Sequence, residues 1–81
     1  MLKMSDVGAR VLAGELLEAA VPVFGVRVVR VSASRLILDH PSAACRLVVC
    51  DDWSAARRVK VLKRWLRMLH HRLLSEWLRA A

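Results

Sequence analysis

The sequence predicts a small α+β domain of order α-β-β-β-α, in which an antiparallel three-stranded meander separates two helices and the second helix is long, basic and amphipathic. Three observations predict it. Beyond Asp51 the apolar residues recur every three or four positions, with no Gly or Pro to interrupt them. Between Val23 and Cys50 the chain is rich in Val and broken by short Ser, Ala and Pro stretches, as in strands joined by turns. Between Ser5 and Ala20, alanines and leucines again follow a helical period. Eighty-one residues make one domain, 1–81, with a small core.

Met1 to Met4 read as a lead-in. Ser5 is placed to cap the first helix, and Asp6 falls in its first turn. The helix is expected over about 5–21, ending before Pro22, with Ala9, Leu12, Ala13, Leu16 and Ala20 turned inward. The first strand is expected over 23–31. Its alternation slips between Phe24, Val26 and Val28 on one face and Val29 and Val31 on the other. That requires a bulge near Val28–Val29 or cover on both faces.

A turn at Ser32–Ser34 leads to a second strand over 35–40, and Pro41–Ala44 leads to a third over 45–50. One sheet face then holds Phe24, Val26, Leu36, Leu38, Leu47 and Val49 and suits two helices. The other holds Val29, Val31, Ile37, Val48 and Cys50 among Arg27, Arg35 and Arg46. It is too apolar for open water and too rich in arginine for a sealed core, so it reads as a contact surface.

The second helix is expected over about 52–79, with Asp51 and Asp52 capping it. Ala55, Val59, Leu62, Leu66, Leu69, Leu73 and Trp77 form its inward stripe. Arg57, Lys60, Arg64, Arg67 and His71 form the opposite one, with Lys63 beside them. Trp53, Trp65 and Trp77 are twelve residues apart and so point three ways. Trp77 is expected in the core. Trp65 and Met68 are expected at an interface, together with Val29, Val31 and Ile37. A helix about 40 Å long exceeds a domain whose radius of gyration should be about 12 Å, so it overhangs that domain, breaks, or packs against a second copy. With 57% apolar residues as well, self-association as a homodimer is expected.

Charge is the strongest functional signal. Residues 53–81 hold eight of the fourteen cations and one anion, Glu76, and so carry the whole formal net charge of +7. The first 52 residues have six of each sign. Surface helices ordinarily interleave Glu with Lys or Arg four residues apart. Here Arg57, Lys60, Arg64 and Arg67 lack such partners, and an anionic target would relieve their repulsion. The alternative is a solvated face that keeps an apolar protein dissolved. Arg outnumbers Lys eleven to three, which suits phosphates and carboxylates but also follows from a GC-rich genome.

Other classes find little support. Cys45 and Cys50 lie too far apart along a strand to bridge, and no ligand spacing joins them to His40, His70 or His71. Neither Asp39-His40 nor His70-His71 can form a local dyad, because neighbours on a strand or helix diverge. Gly8, Gly14 and Gly25 are isolated, so no phosphate loop is present. No catalytic residue, metal site or cofactor is expected. No apolar run reaches the roughly 18 residues of a membrane span. Asp6, Arg10, Glu15 and Glu18 break any signal-peptide pattern. A cytoplasmic location with reduced thiols is expected.

The α-β-β-β-α order is similar to that of several small nucleic-acid-binding and adaptor folds, without their signatures; the GXXG loop of a KH domain is absent. The expected function is non-enzymatic binding of an acidic macromolecule by the cationic helix, with nucleic acid first. One Phe and no Tyr leave base stacking little part in it. The alternative is a small inhibitor or adaptor, of the style found in phages and mobile elements, that docks on a protein through the helix and the apolar sheet face. Membrane binding ranks last, because the apolar stripe is expected to serve the domain's own core.

Overall fold

A computed structural model describes residues 5–41 and 45–80; the lead-in Met1–Met4 and most of the Pro41–Ala44 connection lie outside them. The order is α1 (Asp6–Phe24), β1 (Arg27–Ser32), β2 (Arg35–Asp39), β3 (Arg46–Cys50) and α2 (Ala55–Ala80). The strands form an antiparallel sheet in the order β1-β2-β3. The shortest dimension, 17 Å, is that of two layers, helices over a sheet.

Helix α1 begins where the sequence indicates. The Ser5 hydroxyl accepts from the Gly8 amide at 3.0 Å, and Asp6 sits in the first turn with Arg10 at 3.1 Å. It does not stop before Pro22. Proline removes the amide that would donate to the Glu18 carbonyl, yet the helix continues two residues past it. The helix runs to Phe24 and ends on Gly25, whose φ of 69° lies in the left-handed region that glycine enters without strain. The Gly25 amide donates to the Val21 carbonyl at 3.0 Å, and the Val26 amide to the Ala20 carbonyl at 3.2 Å. Val23 and Phe24, expected in a strand, therefore belong to the helix.

The sheet register aligns Val28, Leu38 and Leu47 across the three strands, and next to them Arg30, Leu36 and Val49. This is the inner face: Leu38 and Val49 are buried, and Leu36 and Leu47 pack on the core. Strand β1 departs from expectation twice. Its bulge lies at Val31, where the register shifts between Arg30 and Ser32, and not at Val28–Val29. Neither of its faces is covered, and all six residues are exposed. As the strand farthest from α2 it forms an edge, and Arg27, Arg30 and the bulge discourage further pairing there.

The core joins both helices to the sheet: Ala9, Ala13 and Ala20 from α1; Val26, Leu38, Cys45 and Val49 from the sheet region; Ala55, Val59, Leu62, Trp65, Leu66 and Leu69 from α2. The alanines let α1 lie close against α2. Leu38, Leu62 and Leu69 have no measurable exposure, and burying each stabilises the fold by roughly 1.5–3 kcal/mol. Cys45 is buried and Cys50 half-buried, both as free thiols.

Candidate anion-binding face of the second helix

Ser54 caps α2, not Asp51 or Asp52. Its hydroxyl accepts from the Arg57 amide at 3.2 Å and its carbonyl from the Arg58 amide at 3.0 Å. Asp51 instead faces β1, where its carboxylate accepts from Arg30 at 3.1 Å and its amide donates to the Ser34 carbonyl. No acid occupies the first turn of α2. One anion that could have offset the helix cations is thus committed to the sheet.

Arg57, Lys60, Lys63, Arg64, Arg67 and His71 are all exposed. At 100° per residue they fill one sector of α2 about 120° wide, opposite the buried stripe. Lys60, Lys63, Arg64 and Arg67 line one shallow cleft of about 360 Å³. The three ion pairs among the described residues join Arg10 to Asp6, Arg27 to Asp39 and Arg30 to Asp51. None involves α2, so among the described residues none of its cations is paired with a carboxylate. Arg57 is held differently: its guanidinium lies 4.5 Å from the centroid of the Trp53 ring. That stacking holds the arginine against the ring.

The residues expected at a protein interface separate into two places. Val29 pairs with Ile37, and Ile37 with Val48, in one row across the outer sheet face. Val29 and Val48 are exposed and Ile37 is half-buried; Val31 is exposed at the bulge. Met68 and Trp65 lie elsewhere, with Leu47, Val61 and Arg64 around a groove of about 260 Å³ between β3 and α2. Trp65 is a core residue, only 5% exposed, and its indole Nε1 is buried without an acceptor.

Trp77, expected in the core, is 66% exposed. Helical angle sets which meridian a residue occupies, not how far its own domain reaches along it. Phe24, the last residue of α1, meets His70 edge-on at 6.3 Å. Among the described residues, α1 ends there, and the buried residues of α2 end at Leu69.

No helix among the described residues is long and apolar enough to cross a membrane. The architecture and this face define a small α+β domain displaying an un-neutralised cationic helix. The chain matches no known family, no curated protein and no solved structure.

Proposed function

We propose that the protein is a non-enzymatic, cytoplasmic binder of nucleic acid. It acts by laying the cationic face of α2 along a phosphate backbone, with little dependence on base sequence. The observation that carries this reading is the shared cleft of Lys60, Lys63, Arg64 and Arg67, exposed and without acidic partners among the described residues. Arg57 to Arg67 spans about 15 Å of helix. Phosphates advance about 3.4 Å along each strand of a duplex, so this row can face about four of them. A helix about 10–12 Å across also suits a major groove about 12 Å wide.

A gel shift with duplex and single-stranded probes at low salt tests the reading. The intact chain should retard them, and the variant with Arg57, Lys60, Arg64 and Arg67 all changed to Glu should not. No retardation of any probe by the unmodified chain, or equal retardation by the variant, excludes it.

The row Val29–Ile37–Val48 favours a second reading, a small inhibitor or adaptor that uses this apolar outer face against a protein. That reading requires a stoichiometric protein complex that survives moderate salt and nuclease and is lost with Ile37→Asp.

A further inference from the structure

We infer that the overhanging end of α2 is a two-fold contact between copies of this chain, with Trp77 of each copy seated in a groove of the other. This goes beyond nucleic-acid binding and stands without it.

The apolar stripe that α1 covers does not end where α1 ends. Leu66, His70, Leu73 and Trp77 follow one another at intervals of four, three and four residues, the spacing of a helix–helix seam. Leu66 is buried and His70 meets Phe24, but Leu73 is only half-buried. Trp77, with Leu74 and Leu78 beside it, stands open. The stripe is thus a helix-packing surface whose cover stops partway.

A second copy supplies both the missing cover and a receptor. Leu16, Phe24 and Leu66, with Lys63, Arg67 and His70, line a groove of about 540 Å³ next to this tail. An apolar cavity of about 150 Å³ already accepts benzene, so an indole fits. The Lys63 and Arg67 at its rim suit an aromatic face. If two α2 helices run antiparallel about a two-fold axis near residues 71–72, Trp77 faces Leu66 of the second copy and Leu73 faces its His70. The two remaining pairs are the same contacts in reverse. Such reciprocity is what an isologous dimer demands.

Charge selects a second copy over a charged partner. Residues Leu73–Ala80 carry one anion, Glu76, and one cation, Arg79, and are neutral. Arg57, Arg58, Lys60 and Arg64 would repel another copy laid along them; at the tail two chains carrying +7 each can meet with only Lys63 and Arg67 at the rim of the contact. In the antiparallel arrangement Lys63 and Arg67 border the contact, while Arg57, Lys60 and Arg64 of both copies stay outward.

Sedimentation of the intact chain from low to high micromolar concentration, in moderate salt, tests the contact. The expected species is a dimer of twice 9.1 kDa. Trp77→Glu should weaken it by at least about thirtyfold, as losing a buried aromatic anchor does, without altering the circular dichroism, because Trp77 lies outside the core. Val48→Glu, on the outer sheet face, should leave it intact. A monomer throughout the range, a dimer indifferent to Trp77→Glu, or one broken by Val48→Glu overturns the proposal. So does a monomer that binds anionic vesicles through Trp77.

Discussion

The guanidinium of Arg57 lies 4.5 Å from the centroid of the Trp53 ring, so this cation of the α2 face is held by a ring before any partner arrives. Because Trp53 precedes the Ser54 cap, the indole fixes the start of the cationic row. Trp53→Ala should therefore weaken nucleic-acid binding severalfold while leaving Lys60, Lys63, Arg64 and Arg67 in place. Such stacking is worth about 0.5–1 kcal/mol at exposed sites. Fluorescence anisotropy with a labelled duplex reads the change, and an unchanged affinity would mean that Arg57 needs no such positioning.

Trp65 and Trp77 should respond oppositely to truncation. Trp65→Ala removes a core ring and should cost about 3–5 kcal/mol, even though its unpartnered Nε1 makes the native indole imperfectly accommodated. In dilute protein, where copies are apart, Trp77→Ala should change unfolding free energy by less than about 0.5 kcal/mol. Urea unfolding at low concentration checks both.

Gly25→Ala should destabilise the fold by about 1–2 kcal/mol, since an L-residue must adopt the left-handed conformation that ends α1. Space is not the obstacle: an added Cβ would meet the His40 ring at 3.5 Å, an ordinary contact. Thermal unfolding reads the loss, and Gly25→Asn should recover part of it, because Asn tolerates this region.

Ser54→Ala should destabilise α2 by about 0.5–2 kcal/mol, whereas Asp52→Ala should not measurably do so. A comparable loss at Asp52 would mean that the acidic pair contributes to the cap after all.

Much of this molecule is legible in its sequence, and the parts that are not share a cause. Element order, the inward stripe from Ala55 to Leu69 and the exposed cationic sector follow from periodicity, which is local. Ser54 was obscured by two aspartates just before it, and only the pairing of Arg30 with Asp51 across the sheet reveals that Asp51 is engaged elsewhere. Pro22 reads as a stop until the left-handed Gly25 offers a better one three residues later. Trp77 lies on the correct meridian of α2 but past the end of α1, and where one helix outruns another is a tertiary fact. The exposure of β1 is tertiary as well: its valines promise burial, but its place at the sheet edge denies it.

The claim that the cations of α2 await phosphates stands or falls on the salt dependence of duplex DNA binding by the unmodified chain. With about four phosphates neutralised at 0.9 log units each, log affinity should fall with log salt at a slope near −4, about a hundredfold loss between 50 and 200 mM. An affinity that stays flat across that range would contradict the claim.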